Sequence, residues 1–399
     1  MPCTLTTRID ARTFAKQHLL DEQCQRNGRI KHLYIKPANK FAFSALFDIF
    51  LTLKKVNIFV FSSLNRNFAL ILQHVIITTT MITSTEFFEK KNLVDYLRKV
   101  PFNVTPCSLY SAPALYDEMM KDYHCKCCYD IDVYRHFLDK GKHTEDEMEM
   151  LARALHDFAI GKWLDDFLDQ YDPKQVVGVM GGHSMLRNTP TYRSIVLLSK
   201  ELTEKGSLMV TGGGPGVMEA THLGAWMAGR TIEEVDEALS ILAKAPGFKD
   251  EGWLQTAFEV IKRFPQEKYH SLGIPTWLYG HEPSAAFATD IAKYFDNSIR
   301  EDTILTVAFG GIVFTPGSAG TMQEVFQEAV QNHYLSFGYA SPMVFLGRKF
   351  WTEEIPVYPF LEKMMEEGKY KNLRLFLTDS EHEVVEELLK FRNEEAKEK

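Results

Sequence analysis

The sequence predicts an α/β protein built on a parallel sheet with helices on both faces, preceded by a helical N-terminal segment. Three observations predict it. After Pro173, apolar runs of four to eight residues alternate with longer stretches of helical spacing, the pattern of buried strands joined by crossover helices. Three of these runs end in glycine-bearing turns that open directly into helical patterns. From Thr85 to Asp172, by contrast, the apolar spacing is helical almost throughout. Together these give a Rossmann-like, doubly wound domain behind an all-helical front.

The first 80 residues are different material. They carry 11 Lys and Arg against 4 Asp and Glu, a net of +7, whereas the rest of the 399-residue chain carries 34 against 49, a net of −15, so the whole chain stands at −8. An acidic body without a basic cluster argues against a nucleic-acid partner. The apolar runs Phe41–Leu53, Val56–Ser63 and Phe68–Ile77 are broken by Asp48, Lys54, Lys55 and Arg66. None approaches the roughly 18 uninterrupted apolar residues of a spanning helix, so no membrane partner is expected. The leader reads either as a targeting segment or as material upstream of a functional start near Met81, where Thr83 to Glu86 has the form of a capping box.

Six cysteines, at positions 3, 24, 107, 125, 127 and 128, form no regular framework, and no secretory signal precedes them. A reducing, cytoplasmic compartment is expected. The cluster HCKCC, His124 to Cys128, is the one candidate for a soft metal; without a distant second ligand pair it reads as free thiols, and no metal is assigned.

In chain order, residues 81–172 form the helical segment, with Met148, Leu151, Leu155, Phe158 and Ile160 near one another on one helix. Residues 173–392 form the sheet domain, with strands expected at 175–180, 207–211, 272–279, 311–315, 342–347 and 373–378; residues 393–399 are a solvated tail. In such sheets ligands bind beyond the carboxyl ends of the strands. The first of these ends carries Gly181, Gly182, His183 and Ser184; the second carries Gly212, Gly213, Gly214 and Gly216; the fourth carries Gly317, Ser318, Gly320 and Thr321. Glycines let backbone N–H groups approach an anion, and the helix N-terminus behind them adds partial positive charge, so the expected ligand is a phosphate.

At TGGGPGVMEA (211–220) Pro215 falls where a first helical residue is expected, and a tight turn without ligand is the competing reading. The spacing is not GxGxxG, and no acidic ribose partner follows about 20 residues later, which favours a mononucleotide over a dinucleotide. In TPGSAGTMQE (315–324) the residues Met322, Val325, Phe326, Ala329 and Val330 define a buried helical stripe. Glu324 lies about 200° round from Met322, pointing away from the core. Two readings stand for it: the end of a capping box with Thr321, or a catalytic carboxylate. Arg300 likewise reads as a surface partner of Asp296 or Glu301, or as a ligand-facing cation. The segment His281–Thr289 is expected to line the pocket, His222 and His333 to serve packing, and Phe287, Ile291, Tyr294 and Phe295 to be core.

The pair TGGGPGVMEA and TPGSAGTMQE resembles the LOG family of cytokinin riboside 5′-monophosphate phosphoribohydrolases, long mislabelled as lysine decarboxylases. Its signature is a GGG turn followed downstream by PGGxGTxxE. GGHSM further resembles the longer nucleotide 5′-monophosphate nucleosidases related to that family, and the match spans about residues 174–380. The resemblance implies a hydrolase that cleaves the N-glycosidic bond of a nucleoside 5′-monophosphate such as AMP or GMP, giving free base and ribose 5-phosphate. It implies catalytic roles for Glu324 and Arg300, no organic cofactor, and a homodimer or higher oligomer formed through helices beside the site. Two positions depart from the pattern: Ser318 stands for the second glycine of PGG, and Glu301 for the lysine that usually follows the arginine. They motivate the competing expectation of a nucleotide-binding sensor or carrier without turnover.

Overall fold

The computed structural model describes residues 93–122 and 124–394. The basic leader, the Thr83–Glu86 motif and the end of the charged tail lie outside them. Every described residue belongs to the unit Thr78–Lys399.

The front segment consists of α1 (Leu93–Leu97), α2 (Ala112–Lys121), α3 (Tyr129–Asp139) and α4 (Glu147–Leu168). The sheet domain then runs β1 (Val176–Met180), α5 (Pro190–Glu204), β2 (Leu208–Thr211), α6 (Val217–Trp226), α7 (Ile232–Leu242), α8 (Trp253–Arg263), β3 (Ser271–Gly273), β4 (Asp290–Ile291), α9 (Asn297–Val307), β5 (Ile312–Phe314), α10 (Ala319–Tyr334), β6 (Pro342–Leu346), α11 (Val357–Glu366), β7 (Arg374–Thr378) and α12 (Glu381–Asn393). The seven strands order as β4-β3-β2-β1-β5-β6-β7, every pair parallel. This is the Rossmann-like α/β architecture expected. Val177, Val179, Val210, Ile312, Val313, Phe314, Val344 and Phe345 are fully buried. At about 2 kcal/mol for each such side chain, this burial dominates the sheet's stability.

Local signals set the helices. Thr189 caps α5 with Pro190 in its first turn, and Thr231 and Glu234 form a capping box on α7. Leu335, in a left-handed conformation at φ 49°, ends α10. One expectation fails in detail. The run 272–279 yields only β3, because Pro275 ends it, and Trp277–Tyr279 forms a short 3₁₀ turn instead. Phe287, Ile291, Tyr294 and Phe295 are core, yet they follow an irregular path around β4, a strand too short to leave a sequence signal.

Helix α4 forms as expected, but its inward face is polar. Glu149, Arg153, His156 and Asp157 are buried with Ile160 and Leu164, while Phe158, expected beside them, is 54 % exposed. The polar stripe is stable because each group is answered. Glu149 accepts from the Tyr96 hydroxyl and from Arg153 Nε, both at 2.7 Å. Asp157 accepts from the amides of Phe295 (3.0 Å) and Asp296 (2.9 Å) and pairs with His156 Nδ1 at 2.9 Å. Asp296 is the N-cap of α9, so a residue of the front segment fixes where α9 begins. Tyr110 exchanges two backbone hydrogen bonds with Ile291 at the sheet edge, of 2.9 and 2.8 Å. Buried Lys293 joins Asp130 of α3 to Ser284 Oγ. At the opposite side a seam closes the domain: Lys174 Nζ donates to the Glu394 carbonyl at 2.6 Å, and Arg392 to that of Lys205 at 2.9 Å.

Asp157→Ala leaves two buried N–H donors without an acceptor, each worth roughly 1–3 kcal/mol, so the unfolding free energy should fall by about 3 kcal/mol in urea titration. Asp157→Asn, whose amide oxygen still accepts, should cost less than half of that.

Candidate functional site

The order of strands reverses between β1 and β5, and the turns that follow β1, β2 and β5 meet there. Gly181 and Gly182, half-buried, continue β1; the Gly182 amide donates to the Pro316 carbonyl at 3.3 Å, tying the β1 and β5 turns. The Gly182 carbonyl accepts from Val217 N, the first residue of α6, at 3.2 Å. Gly216 caps that helix at φ 70°, and a Cβ there would stand 2.4 Å from the Gly182 oxygen, so only glycine closes this turn. Pro215 therefore precedes the cap and is not the first helical residue.

Arg187, just after GGHSM, anchors the β1 turn from below. It is buried in a bidentate pair with Glu219 of α6, lies 4.2 Å over the Trp253 ring, and donates to the Ala245 and Trp253 carbonyls. His222 of α6 bridges Thr211 Oγ1 (2.8 Å) and Ser271 Oγ (2.9 Å), joining β2 to β3. Burial drives its pKa down to about 3, so it is a neutral packing group, as the sequence suggests. His333 also serves packing, accepting from Lys371 N at 3.0 Å.

Several amides assigned to a ligand are engaged within the protein. Gly213 N donates to Thr211 Oγ1 at 2.9 Å, Gly214 N to the Met218 sulfur at 3.4 Å, and Gly182 N to Pro316 as above. These three shape a wall and do not offer donors to an anion. The helix start that faces outward is that of α10, where Ser318, Ala319 and Gly320 are exposed. Ser318 is the N-cap by position, with its hydroxyl not used to cap. Gly317 packs tightly on Thr321, which is buried at the third helical position, so Thr321 is not an N-cap and the capping-box reading of Glu324 fails.

Arg300 crosses from α9 to the ends of β2 and β3. Its Nε donates to the Ile274 carbonyl at 3.0 Å, and Nη2 reaches the Gly212 carbonyl at 3.5 Å. A Cβ on Gly212 would stand 2.2 Å from that Nη2, so the first glycine of the GGG run makes room for this arginine. The surface-pair reading of Arg300 does not hold, since Asp296 caps α9 through Ser298 N and Glu301 accepts from Asn297 Nδ2 (2.6 Å) and Gln323 Nε2 (3.1 Å). Burial lowers the Arg300 pKa, opposed by the negative charges of Glu324 and Glu301 and by Tyr279 and Glu282.

Glu324, half-buried in the second turn of α10, has its pKa pushed up to about 7. Loss of solvent is the larger cause; Arg300 opposes it, and Glu301 adds to it. The stripe behind it holds only in part: Val325 and Ala329 are fully buried, Met322 and Phe326 partly, and Val330 is 43 % exposed. Glu328, one turn further, is also raised to about 7 by burial, but it is held by the Ser341 hydroxyl beside a water-sized hollow lined by Phe309, Phe337 and Tyr339.

The His281–Thr289 segment borders the turns, with Ala285 N bonded to the Gly213 carbonyl at 2.8 Å. Glu282 lies 3.9 Å from His183 Nε2, and His183 and Ser184 are exposed. Glu282 belongs to this segment, which the sequence expected to line the pocket; Tyr279, the last residue of the 272–279 run, is the site residue the sequence did not single out. A groove of about 560 Å³ near Arg348, Tyr358 and Glu362 is lined by none of these residues. Among the described residues no group of three or more His, Cys, Asp or Glu is placed to hold a metal ion, and no helix is long and apolar enough to cross a membrane.

No protein-family description matches the chain, and no curated protein matches it. Among solved structures it is similar to the molybdenum cofactor binding protein from the phototrophic bacterium Rippkaea orientalis, at 15 % identity over 55 % of this chain and 97 % of that one, with a TM-score of 0.35. It is also similar to the structural-genomics target TM1055, at 18 % identity over 54 % of this chain and 98 % of that one, with a TM-score of 0.32. What the site does therefore rests on its own geometry.

Proposed function

We propose that the protein hydrolyses the N-glycosidic bond of a nucleoside 5′-monophosphate. The observation that carries this reading is Glu324: a desolvated carboxyl beside Arg300, on a helix whose open N-terminus lies one turn away. The 5′-phosphate would sit on the amides of Ser318 to Gly320, with the Ser318 hydroxyl as an added donor and the partial positive charge of α10 behind them. That places the sugar against Glu324. Its carboxylate stabilises the oxocarbenium-like charge at the anomeric carbon and orients or deprotonates the attacking water. Two of the five N–H donors of Arg300 are tied to backbone carbonyls, which fixes the guanidinium plane for contact with ribose or phosphate. No organic cofactor is required, and Gly181, Gly182 and Gly212 to Gly216 form the walls.

A second reading is nucleotide binding without turnover. It is favoured by the engaged amides of Gly182, Gly213 and Gly214, and by the carboxylates of Glu301 and Glu282 acting on Arg300. Under the resemblance to LOG proteins we also propose a homodimer. The apolar surface of α10 and α11 suits it, with Val330 43 %, Tyr334 72 % and Phe360 45 % exposed.

Purified protein offered AMP, GMP, CMP and UMP should release free base from at least one of them by chromatography. Glu324→Gln should lower kcat/KM by about 10³-fold or more, a loss of roughly 4 kcal/mol of transition-state stabilisation. Ligand-induced thermal stabilisation with no base released from any monophosphate would decide for the binding module. Because the deprotonated carboxylate is the active form, kcat/KM should rise with pH and level off above about 7. Arg300 holds that pKa down, so Arg300→Ala should move the midpoint of its residual activity to higher pH. Sedimentation should show a dimer, and Val330→Glu combined with Phe360→Glu should give a monomer.

A further inference from the structure

The turn between α2 and α3 carries a feature the proposed hydrolysis does not use. Asp122 ends α2, and its side chain and carbonyl accept from His124 N (3.0 Å) and Cys125 N (2.9 Å), folding the chain back before it runs extended into α3. In an extended segment alternate residues share a face, so Cys125 and Cys127 project together while Cys128 points inward. Their sulfurs are 2.8 Å apart, well inside the roughly 3.5–4.0 Å of ordinary non-bonded contact. Cys127 is exposed and Cys125 partly so; Cys128 is buried at 2 % exposure as the N-cap of α3.

We propose that Cys125 and Cys127 form a dithiol site that closes to a reversible disulfide by exchange with a small-molecule disulfide such as oxidised glutathione. In the exchange one cysteine thiolate attacks a glutathione sulfur, forming a mixed disulfide and expelling one glutathione thiolate. The second cysteine then attacks the protein-bound sulfur, forming the Cys125–Cys127 bond and expelling the second glutathione. Two protein thiols are oxidised, one disulfide is reduced to two thiols, and the two cysteine protons pass to the departing thiolates. Closing from the present separation to a bonded length of about 2.05 Å requires less than about 1 Å of sulfur movement.

Three features suit the pair to exchange and not to permanent cross-linking. Accessibility is the first, since the attacking oxidant must reach a sulfur. Charge is the second: exposed Lys126 stands between the cysteines in the chain, and a cation on this turn draws an anionic disulfide such as glutathione. Size is the third. A bond between residues two apart closes so small a loop that it removes little entropy from the unfolded chain, so it stays reducible. The hydrogen bond shared with Cys125 holds the Cys127 thiol above its ordinary range.

The test uses the full chain equilibrated with mixtures of reduced and oxidised glutathione, quenched with N-ethylmaleimide and digested with trypsin. Cleavage after Lys121 and Lys126 separates Cys125 from Cys127 unless a disulfide joins them. The expected result is a linked pair of peptides, 122–126 with 127–135, that vanishes after dithiothreitol treatment. Cys127→Ser should abolish the link and leave a glutathione adduct on Cys125, whereas Cys128→Ser should retain the link. Alkylation of both Cys125 and Cys127 after full oxidation, or a link running instead to Cys107, to Cys128 or to a second chain, overturns the proposal. Unchanged circular dichroism of both variants guards against a folding defect.

Discussion

The reversal of strand order at β1 is the constraint from which the site follows. Chain leaving β1 builds outward through β2, β3 and β4, then returns to the opposite flank of β1 for β5. The connecting helices diverge at that point, and the turns after β1, β2 and β5 are left facing one another. Their approach is close enough that the Gly182 carbonyl meets α6 and its amide meets Pro316. A side chain at Gly216 would push this junction apart, and one at Gly212 would displace Arg300. Backbone geometry thus comes first, and the placement of Arg300 beside Glu324 is possible only because it is satisfied.

Electrostatics at the site is a contest that burial wins. An arginine near a carboxylate ordinarily lowers its pKa by one to three units, yet Glu324 is raised to about 7. Desolvation outweighs the attraction because Arg300 spends donors on the Ile274 and Gly212 carbonyls and shares its field with Glu301 and Glu282. The result is a carboxyl poised near neutrality. Glu328 shows the contrast: its raised pKa arises beside a water-sized hollow, with Ser341 as its partner.

Fold class and the central strands were legible because buried parallel strands are continuous apolar runs, and helix caps such as Thr189 and Thr231 carry short local signatures. What sequence could not reveal was long-range. Strand β4 is two residues long and is defined by pairing with Gly273, not by its own composition. The inward face of α4 carries the charged residues Glu149, Arg153 and Asp157, which no apolar stripe announces; only their partners, more than a hundred residues away in the case of Asp157, make that face a core. At the site, Glu324 and Arg300 could be named from motif and spacing. The use of the Gly213 and Gly214 amides by Thr211 and Met218 could not, since side-chain direction decides it, and glycine motifs alone overstate the donors left for a ligand.

The seam between Lys174 and Glu394 bears on how the molecule comes to exist. These residues are 220 positions apart in the chain, yet they lie at the two ends of the sheet domain and bond directly. Helix α12, which carries this closure and the Arg392 bond to Lys205, emerges from the ribosome long after β1 and α5. During synthesis the flank it covers on α5 stays open, so an early-made helix is sealed late, a topology that slows folding and lengthens the interval in which chaperones have something to hold.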